Sequence, residues 1–174
     1  MRPFIKYLKE NTNNKLTGVE IGVKRGDNAS DILEYLNIES LLLVDPWRAY
    51  KQASFEELKV GYNKQYIMDE WYNTVKNRFS LNKKVSIFRH TSKFVSDIIV
   101  KPIDFVYIDA VHKYENIFED CNLWYKHIKL GGYLCGHDWN NEECSNQVQK
   151  AVNEFVNLYK VNLIIINCDW IIKK

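Results

Sequence analysis

The chain has 174 residues, of which 46% are hydrophobic and 26% charged, enough apolar content for one domain with its own core. Its 24 basic and 22 acidic side chains leave a formal charge of +2, far short of the concentrated basic surface that a long nucleic acid requires. No apolar stretch approaches the length of a membrane span, so the expectation is a single cytoplasmic domain over residues 1–174 that acts on small molecules.

The opening stretch, MRPFIKYLKENTNNK, lacks the apolar core of an export signal. TGVEIGV reads as a first strand. The helical DNASDILEYL follows it, with Ala29, Ile32, Leu33 and Leu36 on one face behind Asp27 or Asn28 as cap. SLLLVD is a second, fully apolar strand ending on Asp45. From 46 to 79 the connection is longer than an α/β fold needs and dense in aromatic and charged residues. Two readings stay open for it: a lid over the carboxyl ends of the strands, or ordinary helix packing. Trp47, Tyr50 and Tyr62 show no evident core face and are expected to be exposed.

VSIFRH is a third strand and DFVYID a fourth, with the helical NIFEDCNLWYKHI after it. GGYLCGHD is a fifth strand behind a Gly-Gly stop, and NQVQKAVNEFVNLY places Val148, Val152, Phe155, Val156 and Tyr159 along one helix face. VNLIIIN and DWIIKK lie too close together for a helical crossover and predict an antiparallel hairpin at the sheet edge. Apolar runs alternating with helices predict a mostly parallel sheet in a three-layer α/β domain.

Several positions could carry chemistry. In the turn Glu20-Ile-Gly22-Val-Lys-Arg-Gly26, the glycines let backbone approach a ligand beside the amides of the next helix, although a plain tight turn has the same composition. Asp45, 19 to 23 residues beyond these glycines (45 − 26 and 45 − 22), stands where an acidic side chain accepts the ribose hydroxyls of an adenosine ligand in doubly wound folds. The four cysteines contain no CxxC pair and read as reduced thiols. A zinc site from Cys135, His137 and Cys144 matches no common structural spacing.

EIGVKRG, LLLVDPW, RHTS, FVYIDAVHKY, the block EDCNLWYKHIKLGGYLCGHDW and the closing QKAVNEF together resemble class I S-adenosylmethionine-dependent methyltransferases. Within that class the similarity is to small O-methyltransferases that include metal-dependent sugar-methylating enzymes. It covers nearly the whole chain apart from 46–79. The resemblance implies a Rossmann-like sheet of order 3-2-1-4-5-7-6 with strand 7 antiparallel. It further implies Glu20, Gly22 and Gly26 around the methionine part of the cofactor, Asp45 on the ribose, and His90, Thr91 and Ser92 beside the adenine. DPW at 45–47 superficially resembles the motif of amino-methylating DNA enzymes, but it follows the second strand rather than the fourth and has one proline, which argues against base methylation. Because the chain is short at its amino end, a substrate-closing element would come from 46–79 or from a second subunit.

Methyl transfer from a sulfonium to an alcohol needs something to take the hydroxyl proton or bind the oxygen. Asp109 and Asp138 end strands four and five, adjacent in a doubly wound sheet, so Asp109, Asp138 and His137 or water could hold Mg or Mn. His112, beside Asp109, would be the base, and only its neutral imidazole can accept a proton. The plainer alternatives are a capping Asp138 and a backbone-bonded His112. The favoured acceptor is a sugar or glycoside. A catechol-like aromatic acceptor and a non-catalytic nucleoside-binding module of a larger assembly are the alternatives.

Overall fold

The computed structural model describes residues 1–50 and 55–174, with the side chains of 55–57 excepted. The elements are α1 (Pro3–Asn11), β1 (Leu16–Ile21), α2 (Asp27–Tyr35), β2 (Ile38–Val44), α3 (Phe55–Val60), α4 (Gln65–Arg78), β3 (Val85–Phe88), α5 (Ser92–Ile98), β4 (Ile103–Ile108), α6 (Tyr114–Tyr125), β5 (Ile128–Gly136), α7 (Ser145–Tyr159), β6 (Leu163–Ile166) and β7 (Asp169–Lys173). The seven strands form one sheet of order β3-β2-β1-β4-β5-β7-β6. β1 to β5 pair in parallel, and β7 runs antiparallel between β5 and β6, the arrangement of a Rossmann-like methyltransferase fold.

Side chains that alternate across the pleat divide the core in two. Phe105 and Tyr107 of β4 join Leu41, Leu43 and Cys135 against α1, α2 and α4. Val106 and Ile108 join Val19, Ile21 and Leu134 against α5, α6 and α7. Small residues set the fit where layers press together. A Cβ on Gly18 would lie 2.1 Å from the Phe105 ring, and one on Gly136 would lie 2.2 Å from Trp170.

Three local features differ from the expectations. The opening stretch, read only for export signals, forms α1: Pro3 occupies the first turn, where its missing N–H costs nothing, and Phe4, Ile5 and Leu8 are buried along one face. β5 continues through Gly131 and Gly132, because Gly131 takes φ +80° and the pair exchanges backbone hydrogen bonds of 2.8 and 2.9 Å with Lys174. Trp47 is a core residue at 1% exposure, packed with Met68, Trp71 and Val75 of α4. Its indole donates to the Lys24 carbonyl at 2.8 Å, so a satisfied N–H lets this large ring go inside. The part of the expected lid at 51–54 lies outside the described residues.

α1 is tied down by one fully buried carboxylate. Asp169 at the start of β7 accepts the Phe4 amide at 2.9 Å, the Tyr107 hydroxyl at 3.1 Å and the His137 ring at 2.6 Å. Asp169→Ala would strand these donors in the interior. It should lower unfolding free energy by about 3–5 kcal/mol in urea titrations, whereas a loss within ~0.5 kcal/mol would show the network to be dispensable.

Candidate active site

The sheet order reverses between β1 and β4, and such a reversal leaves a crevice at the carboxyl edge. A cavity of about 780 Å³ opens there, bounded by the loops after β1, β2, β4 and β5 and by α4. Two backbones meet at its floor. Gly22 has φ +86°, and a Cβ there would lie 2.1 Å from the Asp109 carbonyl oxygen, so only glycine lets the loops after β1 and β4 close together. Gly26, at φ +80°, caps α2 without a side chain and leaves the helix amides facing the crevice.

Glu20 is 1% exposed, with one carboxylate oxygen accepting from Asn28 Nδ2 at 3.0 Å. Its Oε2 and Asn28 Oδ1 are buried acceptors with no hydrogen-bond partner among the described residues. Burial, against the lowering effect of the Asn28 bond, pushes the Glu20 carboxyl up to about 8. Asp45 does more than end β2. Its carboxylate accepts the amides of Val23 and Lys24 at 3.0 Å and of Trp47 at 2.7 Å, tying the glycine loop to the next connection. Burial raises its pKa despite these bonds.

Thr91 and Ser92 line the cavity, whereas His90 is exposed and stacks on Phe94 at 3.7 Å. Ser92 accepts the Trp124 indole N–H at 2.7 Å and bonds Asp120, whose carboxyl burial lifts to about 6. Tyr50, Tyr62, Met68 and Trp71 supply an apolar wall on the 46–79 side, with Tyr62 edge-on to Trp71 at 5.1 Å.

The strand-end acids occupy different environments. Asp109 is paired with Arg2 at 2.8 Å, and the same guanidinium donates to the Tyr107 hydroxyl at 2.9 Å. Asp138 is 7% exposed and sits at φ +61°, a left-handed conformation that Asp tolerates better than most residues. One of its oxygens accepts from Asn141 at 2.7 Å, and the other lies 2.7 Å from His112 Nε2. His112 Nε2 is also 3.4 Å from Asp109, yet it is buried without a hydrogen bond of proper geometry. His137 bonds Asp169 through Nδ1, which leaves Nε2 4.0 Å from Asp138.

Asp109, His137 and Asp138 therefore do not form one tight set. Among the described residues, the ligand atoms that all lie within 4.8 Å of one another belong to His112, Asp138 and Cys144. Cys135 is fully buried in the core. Arg2, Asp120 and Asp169 were missed from sequence. Arg2 and Tyr107, for instance, meet across 105 residues, a contact that no local pattern encodes.

Burial alone would lower the His112 pKa, but the flanking Asp109 and Asp138 outweigh it and hold the imidazole at about 10. Burial would raise Asp138, and His112 outweighs that to hold it at about 2. His112 is thus held as an imidazolium at neutral pH by its two acidic neighbours, whereas the sequence reading expected a neutral base.

The comparisons agree with this architecture. Residues 19–139 match the family model described as a methyltransferase domain, and the chain covers them with the glycine loop, Asp45, Asp109 and Asp138. The chain belongs to this methyltransferase family. It is 30% identical over 149 residues to an uncharacterised protein of Acanthamoeba polyphaga mimivirus, covering 81% of this chain and 59% of that relative's length. Three solved structures, all under 25% identical, share the fold. An rRNA methylase from Streptococcus thermophilus has TM-score 0.66 and 14% identity, with 100% of this chain and 97% of that one covered. The O-methyltransferase NovP has 0.67 and 17%, covering 98% and 78%. The methyltransferase MycE of the mycinamycin pathway, solved with Mg, S-adenosylhomocysteine and mycinamycin VI, has 0.65 and 11%, covering 98% and 48%. No helix among the described residues is long and apolar enough to cross a membrane.

The His112–Asp138 ion pair sets a pH signature. The imidazole pKa rises from 6.5 to about 10 on folding, so its stabilisation is complete below pH 6.5 and is lost as pH climbs toward 10. The Asp138 side, lowered from 3.8 to about 2, is present above pH 3.8 and lost as pH falls through 2. With chelator present, the wild-type urea midpoint should decline from pH 6.5 to 10 more steeply than that of His112→Gln; parallel profiles would show that no such ion pair forms.

Proposed function

We propose that this chain is an S-adenosylmethionine-dependent O-methyltransferase whose acceptor is a hydroxyl of a small molecule, with a sugar or glycoside favoured, and that a divalent cation assists it. The observation that carries this reading is the crevice at the β1/β4 reversal, where Gly22 lets two loops close into one floor and buried acceptors of Glu20 and Asn28, which line it, have no partners among the described residues. A ligand bearing an ammonium group would satisfy those acceptors, as the methionine part of the cofactor does. Asp45, with three of its four lone-pair sites on loop amides, keeps one on Oδ1 for a ribose hydroxyl. Thr91 and Ser92 border the adenine end, with His90 outside the wall. The cavity's size suits a small-molecule pair rather than a polymer. The aromatic wall of Tyr50, Tyr62 and Trp71 favours the apolar faces of a ring acceptor, and 46–79 would act as wall and partial lid within a single domain.

In the reaction the acceptor oxygen attacks the methyl carbon, the carbon–sulfur bond breaks with its electrons staying on sulfur, and S-adenosylhomocysteine leaves. The acceptor's proton passes to the Asp109 carboxylate, beside which the His112 imidazolium stands at 3.4 Å. Asp138, with Asp109 and His137 within reach of the same crevice, is the candidate anchor for Mg or Mn. Such a cation supplies Lewis acidity that lowers the pKa of the bound hydroxyl. The chain spans 59% of its curated relative's length, so the activity of the whole protein is part of this proposal.

An acceptor screen read by S-adenosylhomocysteine release tests the reading. EDTA should abolish turnover, and Asp138→Ala should lose it by about 10²-fold or more while still binding cofactor. Asp45→Ala should weaken cofactor binding by roughly 1.5–3 kcal/mol per lost charged hydrogen bond in calorimetry.

Glu20 adds a proton signature. Its pKa of about 8 falls when an ammonium group docks beside it, so binding at pH 7 should release a proton. The heat of binding should then vary with the ionisation enthalpy of the buffer, and Glu20→Gln should abolish that variation. Buffer-independent heats in wild type would place the ammonium elsewhere.

A further inference from the structure

We infer that the cation held beside Asp138 is a borderline transition metal of the zinc, cobalt or iron(II) type rather than Mg, because His112 and Cys144 complete its donor set. The inference rests on the proposed function for the presence of a cation and changes its class and the role of His112.

Three segments bring the donors together. His112 follows β4, Asp138 follows β5, and Cys144 sits at the cap position of α7. One ligand atom from each lies within 4.8 Å of the other two. His112 Nε2 stands 2.7 Å from Asp138 Oδ2 in their ion pair, so a cation that displaces the ring proton finds both ligand atoms already adjacent. Two ligand atoms side by side, with a thiol sulfur within 4.8 Å of both, are placed to share a third centre. The carboxylate is also fixed from behind, since Asn141 donates to its other oxygen at 2.7 Å.

The chemistry of the donors then selects the ion. Mg prefers an all-oxygen, nearly octahedral shell and keeps most of its waters. A set of imidazole, carboxylate and thiolate suits zinc and its neighbours, and three protein donors leave the fourth position of a tetrahedral site open. Asp109 is not needed for charge balance, because Arg2 already neutralises it at 2.8 Å. The open position would take the acceptor oxygen. With Nε2 of His112 on the metal, Asp109 remains as the proton acceptor.

The test uses the purified chain without cofactor or acceptor, stripped by chelator and titrated with Co(II), Zn(II) and Mg(II). Co(II) should produce a thiolate-to-metal charge-transfer band in the near ultraviolet, Zn(II) should displace it at one equivalent, and excess Mg(II) should not. Loss of a supporting residue around a metal ligand already costs about 10–100-fold in affinity, so Cys144→Ser and His112→Gln should each weaken Zn(II) by at least that much, and Cys144→Ser should erase the band. Circular dichroism of both variants controls for folding, and Cys168→Ser, altering a thiol outside the set, should leave the titration unchanged. The absence of the band in wild type, Mg(II) competing on equal terms, or Zn(II) affinity unchanged in Cys144→Ser would each overturn the inference. Because no methyl transfer is measured, these results stand apart from the proposed function: metal binding as described with no turnover for any acceptor would count against the activity alone, and turnover that persists in chelator would count against the metal alone.

Discussion

The whole crevice depends on one close approach, that of the Gly22 backbone to the carbonyl of Asp109. It joins the loops after two adjacent parallel strands, and the β1/β4 pairing places both at the same height on the sheet edge. Any side chain at Gly22 would push the loops apart and carry Asp109 and His112 away from Glu20 and Asp45. The glycine loop is thus the floor of the site, and its cost in conformational freedom is offset by the sheet pairing on either side. Asp45 finishes the construction by holding three amides of the surrounding loops on one carboxylate.

Much of the fold could be read from the sequence because it is written in local patterns. Apolar runs buried on both faces marked the strands, and the short gap between VNLIIIN and DWIIKK left no room for a crossover. α1 carried the same kind of signal in Pro3, Phe4, Ile5 and Leu8, and it was obscured by reading that stretch only for an export signal. Trp47 was harder. A tryptophan next to a proline and an arginine looks like surface, and only the Lys24 carbonyl waiting for its indole N–H makes the interior acceptable. The strand-end acids were visible as positions, but their partners were not. Arg2 neutralises one and His112 the other, and both depend on the tertiary arrangement.

Those pairings give the protein side chains of the site a local charge balance. Asp109 and Asp138 each have a cationic partner, so these two carboxylates can stand close together without forcing one another to take up protons. Deeper in the protein, Asp169 connects the amide of Phe4 with the ring of His137, so the first turn of α1 and the wall of the crevice share one buried group. The amino-terminal helix is therefore part of the machinery that positions the site and not only a cover for the sheet.

Asp138 shows how narrow the choice of residue becomes where backbone and chemistry meet. Its left-handed conformation is easier for glycine, asparagine and aspartate than for other residues, which adopt it at a cost of about 1–2 kcal/mol, as Lys24 and Lys160 do here. Of those three, only aspartate brings a negative charge to His112. In a library randomised at this codon, survivors selected for folding and survivors selected for turnover would form different sets, the first wider than the second. The turn thus acts as a filter on the genetic code, favouring a few side chains before any chemistry is asked of them.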